Sequence, residues 1–219
     1  MRQNISLAEI SDGYLYKAND MVKADCGGCE GCSQCCRGMG SSIILDPYDV
    51  YRLTTGIGKS MQELLATSVE LNVVDGVILP NLKMQGTREA CAYLDTEGRC
   101  SIHPYRPGIC RLFPLGRHYE NGGLFYFLQT GECVKENRSK VKVSKWIDTP
   151  ELKRNEQFKL QWHDLLSAMT DRVAGEDEGK QREENLLLLR LFYLLPYEGT
   201  TDFYSQFTER MEHWNEQIG

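Results

Sequence analysis

The chain has no long apolar run. Its most apolar stretch, residues 186–195, is interrupted by Arg190, and it is too short for a membrane span, which takes about 20 apolar residues. The chain also lacks a basic block, and its net charge is −6. Nucleic-acid affinity rests largely on Lys and Arg neutralising phosphates, so no nucleic-acid partner is expected. The same balance argues against docking on an anionic membrane. The opening MRQNISLAEISDGYLYKAND has neither an apolar h-region nor a small-residue cleavage site. No secretory leader is therefore expected, and the expected location is cytoplasmic. There is no HExxH, no serine nucleophile elbow and no glycine-rich dinucleotide fingerprint. Gly56-Ile-Gly58-Lys59-Ser60 ends like a phosphate loop, but position 53, where that motif needs glycine, is leucine. The carboxylates show no spacing that demands acid–base chemistry, and most fit solvated helix faces.

What is present is thiol. Nine cysteines lie in 219 residues, all between Cys26 and Cys133. In a reducing compartment disulfides are rare, and an odd number cannot pair completely within one chain. Metal is then the leading reason for so many cysteines.

Five of them crowd into Cys26-Gly-Gly-Cys29-Glu-Gly-Cys32-Ser-Gln-Cys35-Cys36. Cys26, Cys29, Cys32 and Cys36 have the C-x2-C-x2-C-x3-C spacing of bacterial ferredoxins, with Arg37 where those carry proline. Short glycine-containing loops let a backbone curl round a cluster, and that spacing points to an iron–sulfur cofactor of the 4Fe–4S type. Cys29, Cys32, Cys35 and Cys36 form the alternative subset C-x2-C-x2-C-C. Adjacent cysteines do not easily aim both thiolates at one tetrahedral metal, so they serve two sites or one stays unligated. Zinc competes, because C-x2-C knuckles also build four-thiolate structural sites and soft thiolates select both metals.

The second set is Cys91, Cys100, Cys110 and Cys133. The segment from Cys91 to Pro114 reads CAYLDTEGRCSIHPYRPGICRLFP. With Cys29, Cys32, Cys35 and Cys36 before it and Cys133 after it, this pattern resembles the YkgJ-type cysteine-cluster family, described as zinc- or iron-chelating. Cys91, Leu94, Arg99-Cys100, Ile102, Arg106-Pro107, Cys110-Arg111 and Phe113-Pro114 carry the likeness, which spans roughly residues 26–133. His103 stands where the family often has tyrosine, and Cys26 falls outside the hallmark. The resemblance implies metal chelation by eight cysteines, as two four-thiolate sites or as one cluster plus a separate zinc. Some relatives carry the label flagellin lysine N-methylase, which implies a protein substrate or a redox partner. With Cys26 as a ninth thiol, one cysteine could remain open for exchange. His103 is either a further ligand or a loop histidine packed on Pro104 or Tyr105. Arg106 and Arg111 flank Cys110. They either offset thiolate charge and donate to sulfur beside the cofactor or cap carbonyls of the proline-rich loop. His118, His163 and His213 read as ordinary surface or half-buried histidines.

The expected fold is α+β: an irregular, metal-stapled cysteine-rich region with short hairpins (1–147), and a helical segment (148–219) packed on it within one domain. Asp46-Pro47 predicts a helix stopping at Gly56, and Ser60 with Glu63 a capping box. Ser42–Leu45 predicts a short strand. Hairpins are predicted at Asp75-Gly76, at Thr96-Glu-Gly98 between Cys91–Leu94 and Arg99–Ile102, and at Asn121-Gly-Gly123. Thr149-Pro150 predicts the start of a helix through Phe158, Leu165 and Met169, and residues 181–195 a second helix. Phe203, Phe207, Met211, Trp214 and Ile218 form a helical stripe read as core. The expected function is metal binding with at least one iron–sulfur cluster and a redox or protein-modifying role. A zinc-stapled interaction module and a metal carrier are the alternatives.

Overall fold

The computed structural model describes residues 6–27, 32–135 and 137–218. The chain runs α1 (Leu7–Ile10), β1 (Met21–Asp25), a 3-10 turn (Gln34–Cys36), α2 (Pro47–Ile57), α3 (Met61–Thr67), β2 (Val69–Val74), β3 (Val77–Leu82), β4 (Met84–Gln85) and β5 (Ala90–Cys91). A second 3-10 turn (His103–Tyr105) precedes α4 (Gly108–Leu112), β6 (Leu115–Glu120), β7 (Gly123–Leu128), β8 (Ser139–Lys142) and α5 (Val143–Ile147). The C-terminal part is helical: α6 (Leu152–Val173), α7 (Glu178–Leu189), a π-helical turn (Arg190–Leu194) and α8 (Phe203–Ile218). The architecture is α+β, with small antiparallel pairs β1–β8, β2–β3, β4–β5 and β6–β7.

Local chemistry explains most of these elements. Asp46 and Asp49 form a reciprocal capping box at the start of α2, with Pro47 inside the first turn. Ser60 and Glu63 do the same for α3. The β2–β3 hairpin turns at Asp75-Gly76, both with φ above zero, and pairs Val74 with Val77. The β6–β7 hairpin turns at Asn121-Gly122 in the same way.

Four predicted features change. Helix α2 runs past Gly56 and closes on Gly58, whose φ of 65° supplies the left-handed cap. Gly56 instead gives up its side chain to the Tyr105 ring, which occupies the place of a Cβ. Residues 42–45 do not form a full strand. They lie along β3 through a bridge between Ile44 and Asn81, with Leu45 N donating to Pro80 O at 2.8 Å. The hairpin expected on Cys91 is displaced: Cys91 pairs with Met84, and the Leu94–Cys100 contact is a single bridge. Helix α6 starts at Leu152, after Glu151 takes a left-handed φ of 49°.

Among the described residues two apolar cores result. The larger joins α2, α3, β2 and β3 to α6, α7, the π turn and α8. Phe192, Phe207, Trp162 and Trp214 meet there edge-on or tilted, with Phe192 wholly buried. Burying one such side chain is worth about 1.5–3 kcal/mol. The expected stripe on α8 is core: Phe203, Phe207 and Trp214 are buried, and Met211 and Ile218 pack against them. The smaller core joins β1, α4, β6, β7, β8 and α5 through Val22, Leu112, Leu115, Tyr126, Val143 and Ile147. Helix α4 lies on the seam: Leu112 faces the smaller core and Cys110 packs on the larger.

Candidate metal centre

Short elements bring the cysteines together. Cys35 and Cys36 sit on the first 3-10 turn. That turn docks on β5 through an Arg37–Ala90 bridge and a hydrogen bond from Gly38 N to Glu89 O at 2.9 Å. Strand β5 carries Cys91. The Asp95 carboxylate then ties the next turn, accepting from Glu97 N at 3.0 Å and Arg99 N at 2.8 Å, and so sets Cys100. Ser33, beside Cys32, reaches the same turn: a Cβ at Gly98 would stand 3.6 Å from its hydroxyl. Cys110 rides on α4.

The five thiols of Cys35, Cys36, Cys91, Cys100 and Cys110 lie close enough to feel one another's charge. The Cys36 thiol hydrogen-bonds to Cys35. That bond is the main reason the Cys35 thiol is lowered to about 7, and it pushes Cys36 up. Burial pushes Cys91, Cys100 and Cys110 up. Backbone amides work against it. Tyr93 N–H donates to the Cys91 sulfur and Ile102 N–H to the Cys100 sulfur, each from two residues on. An amide aimed at a cysteine sulfur favours the thiolate, the form that binds metal. Bringing several thiolates into a half-buried place without a cation is unfavourable, so the arrangement calls for positive charge.

Arg106 supplies part of it. Its charge favours thiolate at Cys35 and at Cys100. Its Nη1 bonds the Nε2 of His103 at 3.0 Å, and its buried Nε–H has no partner among the described residues. Burial, then Arg106, hold His103 below the usual histidine range, so the neutral ring accepts the arginine's hydrogen bond. Arg111 is placed differently. It donates to Asp148 O at 2.7 Å and to Pro104 O at 2.6 Å, and so caps two carbonyls around the proline-rich loop. Arg52 also donates to Pro104 O. His163 stacks on Tyr119 with centroids 4.0 Å apart, and His213 lies 3.4 Å from Glu216.

Four cysteines remain. Cys29 falls outside the described residues. Cys26 directly follows β1, and Cys133 lies between β7 and β8. Strand β1 pairs with β8 through Val22–Val141 and Asp25–Ser139, which joins the strand before Cys26 to the strand after Cys133. Cys32, Cys35, Cys36, Cys91, Cys100, Cys110 and Cys133 are free thiols. Among the described residues, no three His, Cys, Asp or Glu side chains already form a coordination set. Closing one round an ion takes side-chain adjustment of the kind that metal binding drives.

Residues 28–133 match the family model named CxxCxxCC, described as "Putative zinc- or iron-chelating domain". Over this segment the chain is similar to the CxxCxxCC family. No curated protein and no solved structure matches the chain significantly. The CxxCxxCC domain spans a little under half the chain and leaves α6, α7 and α8 outside. Its donor set fits the description. Thiolates suit zinc and iron, the Cys91 and Cys100 sulfurs receive amide hydrogen bonds, and an arginine N–H near Cys100 has no partner among the described residues.

Three residues of this neighbourhood escaped the sequence reading. Asp49 is buried on α2, accepts from Asp46 N at 3.2 Å, and also accepts from Gly108 N at 2.7 Å, two residues before Cys110. Lys159 of α6 is buried and paired with Asp46. Arg52, also on α2, donates to Pro104 O in the loop before α4. The signals were faint. Asp46-Pro-Tyr-Asp49 is a capping-box pattern, and Lys159 interrupts the apolar face of α6 between Phe158 and Trp162.

Proposed function

We propose that the CxxCxxCC domain holds at least one iron–sulfur cluster, of the 4Fe–4S type, and serves a redox or protein-modifying role. One observation carries the reading: five thiols from the 3-10 turn, β5, the loop after it and α4 share one electrostatic environment beside Arg106. Four of the five would ligate, and the fifth, with Cys26, Cys29, Cys32 and Cys133, is available to a second site. Arg106 would donate its unpartnered Nε–H toward the cofactor and offset thiolate charge, while Arg111 holds the loop that presents Cys110. Hydrogen bonds to sulfur and nearby charge set the potential of such clusters. Tyr105 and Ile109, each 36% exposed on either side of Arg106 and Gly108, leave this edge open to a protein substrate or redox partner.

A structural zinc site is the second reading. It is favoured by the shortness of β4, β5 and α4, which carry or brace these thiols. Protein prepared without oxygen separates the two. Iron and acid-labile sulfide in near-equal amounts, with visible absorption, are expected. Colourless protein containing only zinc, and keeping its fold in air, contradicts the iron–sulfur reading.

A further inference from the structure

A buried polar knot lies against the domain, and a ligand helix is tied to it. Helix α4 is only five residues long, little more than one turn, and its N-cap, Pro107, offers no side-chain acceptor. The opening amides of a helix need a partner from elsewhere. For Gly108 N that partner is Oδ1 of Asp49, on a different helix and 59 residues earlier. The other carboxylate oxygen of Asp49 receives Asp46 N at 3.2 Å, so the group cannot turn away without losing its own capping box. Two cations close the knot. A Cβ at Gly108 would stand 3.2 Å from Arg117 Nη2, 3.4 Å from Lys159 Nζ and 3.5 Å from Asp49 Oδ1. Lys159 is in turn paired with Asp46. Glycine at 108 is thus what lets the helix start approach so closely. The knot ties α2, α4, β6 and α6 at one point, two residues before Cys110.

We propose that Asp49 is a positioning residue for the Cys110 sulfur: as a remote cap on α4 it fixes the turn that presents this thiol to the metal. The inference rests on the reading of Cys110 as a ligand. It assigns a metal-binding role to a carboxylate that touches no metal, and it makes Lys159 and Arg117 the groups that hold that carboxylate in place.

The test is a double-mutant cycle on the full chain, stripped of metal under anaerobic conditions and titrated with cobalt(II) as the probe. Partners that orient a metal ligand typically contribute about 10- to 100-fold in affinity. D49A is expected to weaken cobalt binding by about that factor. D49N keeps one oxygen acceptor for Gly108 N and is expected to restore most of it. In a C110S background, D49A should cost no further affinity, because the ligand it positions is gone. Equal losses with and without Cys110 would overturn the proposal, since a merely structural residue weakens both alike; so would D49A binding as tightly as the parent. If C110S itself binds as tightly as the parent, the ligand reading of Cys110 fails, and this inference fails with it. Where D49A does not fold, D49L removes the acceptor at similar volume and runs the same cycle.

Discussion

The two halves of this chain are held by different physics. The C-terminal helices, with α2, α3 and the β2–β3 hairpin, close over aromatic packing around Phe192 and Phe207. The thiol region around Cys35, Cys91, Cys100 and Cys110 is built from elements of five residues or fewer, with its order in turns, carboxylate caps and arginine-capped carbonyls. Apolar packing specifies a fold without help. Clustered, half-buried thiols instead leave charge to be balanced when they ionise. The sequence divides its labour accordingly: every cysteine lies up to Cys133, and the long helices follow it.

That contrast can be broken from either side. Ligand loss comes first, as the largest effect. C110S and C100S should each lose most bound metal while the far-ultraviolet signal of the C-terminal helices stays. Loss of both together would merge the two regions into one metal-dependent fold. From the other side, Phe192→Ala removes a wholly buried ring and should cost about 3–5 kcal/mol in urea unfolding. Metal per folded molecule should not change. An equal fall in metal content would show that the aromatic core sets the site.

A subtler effect is on pH. Burial raises Cys91, Cys100 and Cys110, so each is a neutral thiol near neutrality and must release a proton to bind metal. Cys35, lowered to about 7 by its hydrogen bond from Cys36, has largely ionised above that point. Metal affinity should therefore fall as pH falls, and more steeply below about 7, where Cys35 adds its proton to the count. Calorimetry in buffers of different ionisation heat counts those protons. A pH-independent affinity would remove the thiols from the ligand set.

Two smaller changes sharpen the boundary. Arg111→Met leaves the carbonyl of Asp148 without its arginine donor and the carbonyl of Pro104 with Arg52 alone. It should cost about 1–3 kcal/mol, the usual penalty for a buried polar group left unpaired. Ser60→Ala removes an exposed cap from α3. It should cost about 1 kcal/mol in unfolding and leave metal binding as it was.

The sequence made the local parts of this molecule legible. Asp75-Gly76 and Asn121-Gly122 are turns that specify their own hairpins, and Ser60 with Glu63 specifies its own helix start. The stripe on α8 follows from periodicity alone. What escaped depends on distant pairing. Strand β1 meets β8 across more than a hundred residues, and neither MVKAD nor SKVK announces a strand by its composition. Cys91 prefers Met84 to the segment after it because Gly86, with a φ of 69°, makes the tighter turn upstream. The nine cysteines were plain as metal candidates. That five of them share one environment was not, since Arg37–Ala90 and Asp49–Gly108 are contacts that no spacing encodes. Arg106 and Arg111 look alike in the sequence. Only placement separates the one beside the thiols from the one capping carbonyls.

The central claim is that thiols from both cysteine groups bind one metal centre. X-ray absorption at the bound metal tests it most directly, on the parent and on a C35S/C36S variant. The account expects nearest neighbours that are all sulfur in the parent, with an added iron–iron scatterer if the centre is a cluster, and a loss of sulfur in the variant. A nearest shell of oxygen and nitrogen, or a sulfur shell unchanged without Cys35 and Cys36, would contradict it.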